Sequence, residues 1–148
     1  MSKPEFVYVT YIKTTPEKLW HALTDREMNR KYWFDAHQES DWKPGSAWKI
    51  VFPDGRVADS GEIIEIDPPK RIVIKWRNEF RPDLKAEGYS HCTMEIEPAD
   101  GAVKLTITHV IDRETSEMIK AVSGGWPKIL SNLKSLLETG DIAMKTKT

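Results

Sequence analysis

The sequence is short of the residues and patterns that mark several classes of protein. Cys92 is its one cysteine, which excludes an internal disulfide and a cysteine-based metal framework. Its 22 lysines and arginines nearly balance 23 aspartates and glutamates, and a net charge of −1 recruits neither nucleic acid nor an anionic membrane. No run approaches the roughly 20 apolar residues of a membrane helix. We therefore expect no nucleic-acid partner and no membrane span, and an unprocessed protein of the reducing cytoplasm.

The motifs of common enzyme sites are scarce as well. No two of the histidines His21, His37, His91 and His109 have the i, i+4 spacing of a helical zinc site. Neither a GxSxG motif nor a glycine-rich phosphate loop is present. The many carboxylates between residues 54 and 67 show no spacing that selects a catalytic pair. We expect no metal ion and no cofactor, and the motifs assign no catalytic residue.

The beginning of the chain carries the signals of one strand followed by two short helices. Phe6–Ile12 is rich in the β-branched and aromatic residues that favour a partly buried strand. Thr14-Thr15-Pro16-Glu17 supplies a helix start, with a threonine that can cap free N–H groups and a proline at an early position, where its missing N–H costs nothing. Thr24-Asp25 can end this helix and cap a second one, which we expect to reach about Trp33.

The middle of the chain is predicted to form about six strands. Turn signals rich in proline and glycine at 43–45, 53–55, 67–69 and 98–101 divide it into short segments. In three segments apolar and polar residues alternate, which predicts an antiparallel sheet with one buried face. The residues expected on that face are Ile72, Ile74, Trp76, Cys92, Met94, Ile96, Val103, Leu105, Ile107 and His109.

A long helix is predicted from about Glu114 to Thr139, because apolar residues advance there by threes and fours. Gly140 can cap its end, and the segment 141–148 is predicted to fray. The order of strand, two short helices, further strands and a terminal helix predicts an α+β fold of six or seven antiparallel strands. The sheet must then bury its apolar face on that helix.

Three residues unfavourable to helices fall inside this last segment. Pro127 would remove one helical hydrogen bond, and Gly124 and Gly125 each weaken a helix interior by about 0.8–1 kcal/mol relative to alanine. We therefore expect a local break. It could be a boundary between two helices, or a kink that opens a path for a ligand beside Trp126.

Two stretches at opposite ends of the chain resemble a known family. These are TTPEKLWHALTD at 14–25 and GGWPKILSNLKSLLETG at 124–140, joined by KYWF, WKPG, VFPDGRVADSGEIIEIDPP and RIVIKW. The sequence resembles the bacterial proteins called activator of heat-shock-protein-90 ATPase homologue-like, within the START and Bet v 1-like superfamily. The similarity runs from about Val7 to Gly140.

The resemblance implies a single domain over residues 1–140 with the helix-grip fold, a curved sheet wrapped around the long C-terminal helix. Related families bind lipids, flavonoid-like molecules or polyketides, so it also implies a cavity for a small apolar or aromatic molecule. The eukaryotic co-chaperone has an additional N-terminal domain that this sequence does not show. We therefore expect the chain not to stimulate a heat-shock-protein-90 ATPase.

The tryptophans indicate where such a molecule would bind. Trp76 is predicted on the inward face of a strand and Trp126 on the inward stripe of the helix packed over it, although large aromatic residues also fill ordinary cores. His109 shares the inward parity, where it is either a hydrogen-bonded core residue or a ligand contact. The predicted cavity is lined by Trp33, Phe34, Trp76, His109, Val122, Trp126 and Leu130.

Three functions are compatible with this pattern. The first is binding of a small hydrophobic or aromatic molecule, of lipid-, flavonoid- or polyketide-like character, between the sheet and the helix. The second is an enzyme of cyclase or hydrolase type that uses His109 for acid–base chemistry in the same cavity. The third is a co-chaperone-like interaction with another protein.

Overall fold

One antiparallel sheet of seven strands runs through the computed structural model, which describes residues 3–145. The strands are β1 (Glu5–Ile12), β2 (His37–Ser40), β3 (Ala47–Val51), β4 (Val57–Asp67), β5 (Arg71–Asn78), β6 (Ser90–Ala99) and β7 (Ala102–Ile111). The helices are α1 (Pro16–Thr24), α2 (Arg26–Tyr32), α3 (Pro82–Lys85) and α4 (Glu117–Thr139). The strand order is β1-β7-β6-β5-β4-β3-β2. This is the predicted α+β helix-grip fold, and α3 is an addition that the sequence did not predict.

The strand register agrees with the predicted alternation. Every second residue of β5 and β7 is buried, and the charged side chains of Arg71, Lys75 and Arg77 lie on the opposite face of β5. The turn before β7 is shorter than expected, because β6 continues past Pro98. Asp100 and Gly101 alone make the turn. The prediction for the inward face is confirmed. Its buried members are Ile72, Ile74, Trp76, Cys92, Met94, Ile96, Val103, Leu105, Ile107 and His109.

The two short helices begin within the predicted start signals, and the structure identifies Thr15 and Asp25 as their caps. The Thr15 side chain accepts a hydrogen bond from the Lys18 N–H at 3.2 Å, and the Asp25 carboxylate accepts one from the Met28 N–H at 3.0 Å. Each cap satisfies an N–H that has no partner within its helix. The second helix ends at Tyr32, so Trp33 follows it directly and is fixed in position by the end of α2.

A buried polar network holds α2 against α1 and the sheet. The Asn29 amide donates to the carbonyl of Ala22 at 3.0 Å and accepts from the Gln38 N–H at 3.0 Å. Gln38 in turn accepts a hydrogen bond from the Trp48 indole N–H at 2.9 Å. Buried amides need such partners, and here the partners come from α1, β2 and β3. The network therefore fixes the orientation of the helix that precedes Trp33.

The C-terminal helix α4 is continuous, so the predicted boundary between two helices is wrong, and the kink beside Trp126 stays a prediction. It runs from Glu117 to Thr139 with Pro127 inside it. Buried residues lie on both sides of Pro127, and their burial offsets the loss of one hydrogen bond there. The buried members of that stripe include Met118, Ile119, Trp126, Ile129, Leu130 and Leu133.

The chain turns back onto the molecule after α4. Gly140 ends the helix in the left-handed conformation, as predicted. The side chain of buried Asn132 accepts a hydrogen bond from the Met144 N–H at 2.7 Å and donates to the Met144 carbonyl at 2.8 Å. Ile142 packs against the core. Residues 146–148, the end of the segment predicted to fray, lie outside the described residues. Within residues 3–145 no helix is long and apolar enough to cross a membrane.

Candidate ligand-binding cavity

A cavity of about 160 Å³ lies between the sheet and α4. The sheet contributes residues of β3, β4 and β5, and α4 contributes one face at spacings of three and four residues. Most of the lining is apolar, as expected between two packed hydrophobic layers. The lining residues are Trp33, Ile50, Asp59, Trp76, Asn78, Phe80, Arg81, Leu84, Met118, Ala121, Val122, Gly125, Trp126 and Ile129.

Three tryptophans form the aromatic part of the wall. The ring of Trp126 lies edge-to-face with that of Trp33 at a centroid distance of 5.4 Å and with that of Trp76 at 5.7 Å. Such arrangements are favourable for aromatic pairs, and all three side chains are buried. The three rings come from the end of α2, from β5 and from α4, so the packing of three separate elements builds this wall.

Trp76 is held by β4, the strand next to it. It pairs with Gly61, where a Cβ atom would collide with the backbone carbonyl of Lys75. The glycine therefore permits the close approach of β4 and β5 at this point. The Trp76 indole N–H donates a hydrogen bond of 2.7 Å to the carboxylate of Asp59, two residues before Gly61. Asp59 is 8% exposed and lines the cavity.

The mouth of the cavity is formed by Phe80 and Arg81, which follow β5. The Asn78 side-chain oxygen accepts hydrogen bonds from the backbone N–H groups of both, at 3.1 and 2.8 Å. Phe80 is 47% exposed although it lines the cavity, so the cavity opens to solvent on this side. The Arg81 guanidinium donates to the carboxylate of Asp83 at 2.9 Å and is half exposed.

Glu79 anchors the same turn. Its carboxylate accepts hydrogen bonds from Ser60 at 2.8 Å and from Arg77 at 2.6 Å, and lies 3.2 Å from the Lys85 ammonium. Burial alone would raise the pKa of Glu79, but these hydrogen bonds outweigh it and lower the pKa to about 2. The carboxylate is therefore charged at neutral pH and holds the turn that carries Phe80.

His109 is fully buried beside the tryptophan wall, outside the cavity lining. Its Nδ1 accepts a hydrogen bond from the Trp126 indole N–H at 3.3 Å, which assigns the ring proton to Nε2. Nε2 then donates to the Ser90 hydroxyl at 2.7 Å, and that hydroxyl donates to the Trp76 carbonyl at 3.0 Å. Burial and, to a smaller extent, the charge of His91 lower the pKa of His109 to about 3. The imidazole is neutral at neutral pH, and both its nitrogens have partners.

The structure brings four of the seven predicted site residues to the cavity. Trp33, Trp76, Val122 and Trp126 line it. The other three, Phe34, His109 and Leu130, are outside the lining: Phe34 packs on the core from a left-handed turn after α2, and Leu130 is a buried core residue of α4.

Sequence reasoning missed the polar residues of the cavity, and it also missed the apolar and small lining residues Ile50, Phe80, Leu84, Met118, Ala121, Gly125 and Ile129. Asn78 continues the inward parity of Ile72, Ile74 and Trp76, and this signal could have identified it. Asp59 was one of several acidic residues without a distinguishing spacing. Its parity matches that of Gly61 and Ile63 on the same strand. Arg81 lines the cavity because of the turn that follows β5. The sequence shows no alternating pattern there that could have predicted its position.

Comparison with protein families places this chain in a known group. The family described as Activator of Hsp90 ATPase homolog 1-like protein matches residues 13–138. The chain belongs to this family. The family lies within the START and Bet v 1-like superfamily, so the resemblance seen in the sequence is confirmed. A comparison with curated proteins finds no match.

Solved structures agree with membership of the Activator of Hsp90 ATPase homolog 1-like family. A protein from Cytophaga hutchinsonii is 27% identical with a TM-score of 0.70, and the match covers 93% of this chain and 96% of that one. An HSP90 activator from Plasmodium falciparum is 25% identical with a TM-score of 0.70, covering 90% and 95%. DynU16, a protein of the dynemicin biosynthetic locus, is 16% identical with a TM-score of 0.75, covering 95% and 49%, and shows the fold alone.

Proposed function

We propose that this protein binds a small apolar or aromatic molecule in the cavity between the sheet and α4. The observation that carries the proposal is the wall of three buried tryptophans, Trp33, Trp76 and Trp126, around a space with few polar groups. Small-molecule sites are commonly concave, apolar and aromatic, with a few placed polar side chains. The occurrence of the same fold in a protein of the dynemicin biosynthetic locus is in keeping with this proposal.

The volume of the cavity limits the ligand. An apolar protein cavity of about 150 Å³ is large enough for benzene. At about 160 Å³, this cavity holds a body of about one aromatic ring. A lipid-, flavonoid- or polyketide-like molecule would therefore enter with one ring or a short chain, and the rest of it would extend past Phe80 at the mouth.

The geometry favours binding over acid–base catalysis by His109. A general base needs access to the substrate and a pKa near the working pH. His109 lies outside the cavity lining, both ring nitrogens are hydrogen-bonded, and its pKa is about 3. In this arrangement its role is to orient Trp126 and to connect β7 with β6.

Two adjacent glycines of α4 provide a matched test of the cavity. Gly125 lines it, whereas Gly124 is exposed, and a Cβ atom at either position meets open space. Gly125→Leu should fill the cavity, and Gly124→Leu should leave it open. Both changes replace a helix-interior glycine by the same good helix former, so their effects on helix stability should be similar.

Binding is measured by NMR titration with benzyl alcohol, following the indole N–H signals of Trp33, Trp76 and Trp126. We expect saturable shifts in the wild type and in Gly124→Leu, and a loss of those shifts in Gly125→Leu. After incubation with a metabolite extract, native mass spectrometry should likewise detect a retained small molecule in the wild type and in Gly124→Leu, and none in Gly125→Leu. Equal responses of the two leucine variants, or no saturable shift in any protein, would reject the proposal.

A second candidate function is activation of a heat-shock-protein-90 ATPase. The family description and the Plasmodium falciparum HSP90 activator favour it. Our expectation from the sequence is that this chain does not stimulate that ATPase. The test is the steady-state rate of ATP hydrolysis by a heat-shock-protein-90 at a saturating concentration of this protein. A several-fold increase in rate would support the second function, and an unchanged rate would agree with our expectation.

A further inference from the structure

Asn78 is a buried polar residue of the cavity, and its side-chain amide is held in one orientation. It follows the inward parity of β5, is 5% exposed and lines the cavity. Its Oδ1 accepts hydrogen bonds from the backbone N–H groups of Phe80 and Arg81, at 3.1 and 2.8 Å. Two donors that meet at one atom identify that atom as the oxygen, so the amide nitrogen is the other branch of the side chain.

The amide nitrogen of Asn78 is the group that the protein leaves without a partner. It carries two N–H donors, and among residues 3–145 no group accepts a hydrogen bond from either of them. Buried donors are paired in most proteins, and an unpaired one is costly. Because Asn78 lines the cavity, a molecule bound there can supply the acceptor that this amide lacks.

Trp33 adds a second donor of this kind to the lining. The indole N–H groups of Trp76 and Trp126 donate to Asp59 and His109, respectively. The Trp33 side chain is also buried at the cavity, yet no nitrogen or oxygen in the described part of the chain accepts a hydrogen bond from its indole N–H. Two residues of the lining therefore offer N–H groups for which the ligand has to provide an acceptor.

We propose that the ligand of this cavity is an aromatic carbonyl compound whose carbonyl oxygen accepts a hydrogen bond from the side-chain amide of Asn78. This inference rests on the proposed function and specifies the chemical class of its ligand and the residue that selects it. The ring packs against the tryptophan wall and against Val122 and Ile129 of α4. A carbonyl oxygen accepts without bringing a donor of its own, whereas an ionised carboxylate would lose more hydration in a largely apolar space.

The test uses two probes of the same shape, acetophenone and α-methylstyrene, which differ only in the replacement of the carbonyl oxygen by a CH₂ group. Affinities are measured by NMR titration of the tryptophan indole signals. The substitution is Asn78→Asp, because aspartate keeps an oxygen for the backbone N–H groups of Phe80 and Arg81 and replaces the amide donor by a second oxygen. The quantity compared is the ratio of the two affinities, since α-methylstyrene is the more hydrophobic probe in every variant.

We expect Asn78→Asp to weaken the binding of acetophenone about tenfold relative to that of α-methylstyrene. A role of Asn78 in the turn alone would change both affinities by the same factor. The control is Arg81→Met, which removes the cationic donor at the mouth of the cavity and should keep the affinity ratio of the wild type. A ratio that changes in Arg81→Met and not in Asn78→Asp would overturn the inference.

Infrared spectroscopy of bound acetophenone tests the same contact in the wild type, without any substitution. The difference between spectra with unlabelled and ¹³C-carbonyl acetophenone isolates the carbonyl band of the probe. We expect this band at a lower wavenumber than in hexane, because a hydrogen bond weakens the C=O bond, and we expect it to move back in Asn78→Asp. A band at the hexane position in the wild type, or a lowered band that persists in Asn78→Asp, would reject the contact with Asn78.

The outcomes separate this inference from the proposed function. If both probes bind and Gly125→Leu prevents their binding, but Asn78→Asp leaves the affinity ratio unchanged, the cavity binds ligands and the carbonyl inference is wrong. If Asn78→Asp does not fold, the position of the carbonyl band in the wild type decides. If neither probe shifts the indole signals saturably, both the proposed function and this inference fail.

Discussion

His109 connects three elements of the fold through its two ring nitrogens. It accepts a hydrogen bond from Trp126 of α4 and donates one to Ser90 of β6, and it belongs to β7 itself. Burial keeps the ring neutral, with a pKa of about 3 compared with about 6.5 for a solvated histidine. A single titratable side chain therefore couples the packing of the helix to the pH.

This coupling predicts how stability depends on pH. The unfolded chain binds a proton at His109 near pH 6.5, and the folded protein binds it only near pH 3. The stabilisation is complete above about pH 6.5 and is lost as the pH falls. The free energy of unfolding should then decrease by up to about 1.4 kcal/mol per pH unit between about pH 6.5 and 5. Urea denaturation at closely spaced pH values measures this slope.

His109→Gln identifies the source of the slope. Glutamine can keep one donor and one acceptor without titrating, so this variant should lose most of the pH dependence above pH 5. The control is His91→Gln, which changes an exposed histidine of β6 and should retain it. An unchanged slope in His109→Gln would show that other groups cause the pH dependence. Below about pH 5 the paired carboxylates, including Glu79, contribute as well.

At single positions the sequence predicted which side of a strand a residue occupies better than whether it borders empty space. Parity placed Trp76 and His109 on the buried face. Trp76 lines the cavity and His109 does not, because both ring nitrogens of His109 form hydrogen bonds, with Ser90 and Trp126, outside the cavity lining. Asp59 had no spacing that distinguished it from the other acidic residues, yet its side chain is buried and lines the cavity. Such outcomes depend on partners brought together from distant parts of the sequence.

The long helix α4 is capped from outside by Glu87. Ser116, its N-cap, accepts from the Ile119 N–H at 3.0 Å and donates to the Glu87 carboxylate at 2.5 Å. That carboxylate also accepts a hydrogen bond from the Glu117 N–H at 2.8 Å. Burial alone would raise the pKa of Glu87, but these hydrogen bonds outweigh it and the pKa is lowered. A negative charge at the start of a helix is also favoured by the helix dipole.

Glu87→Ala should therefore destabilise the protein by about 1–2 kcal/mol, the usual cost of losing a helix cap. The measurement is chemical denaturation at neutral pH. Glu114→Ala changes an exposed glutamate in the connection before α4 and should cost less than about half a kcal/mol. Equal effects of the two substitutions would show that Glu87 does not stabilise the start of the helix.

The elements show where local sequence signals are sufficient. The helix starts near residues 14–17 and 24–25 and the end of α4 at Gly140 were predicted from residue types whose local hydrogen bonding is strong. The helix boundary near Pro127 was also predicted from local preference and was wrong, because α4 is continuous with buried residues on both sides of Pro127. Tertiary packing outweighed the local helix penalty of Gly124, Gly125 and Pro127. The helix begins at Glu117 and not near Glu114, because the cap residue Ser116 has hydrogen-bond partners.

At the scale of the whole molecule, the alternation of the strands and the helical stripe were enough to predict the architecture. A sheet with one apolar face has to cover it, and the long C-terminal helix is the element that can. The sequence predicted that an apolar cavity lies between the sheet and the helix, but it could not predict the volume of that cavity. The volume is the space left between side chains of five different elements. That space is set by close approaches such as β4 to β5 at Gly61.

A crystal structure of the protein soaked with iodobenzene would test the central claim most directly. Iodobenzene carries one ring, which the cavity of about 160 Å³ can hold, and the iodine atom is located by its anomalous signal. The account predicts an iodine peak in the cavity bordered by Trp33, Trp76 and Trp126, and no such peak in Gly125→Leu. An empty cavity in the wild type, with iodine bound only on the outer surface, would contradict it.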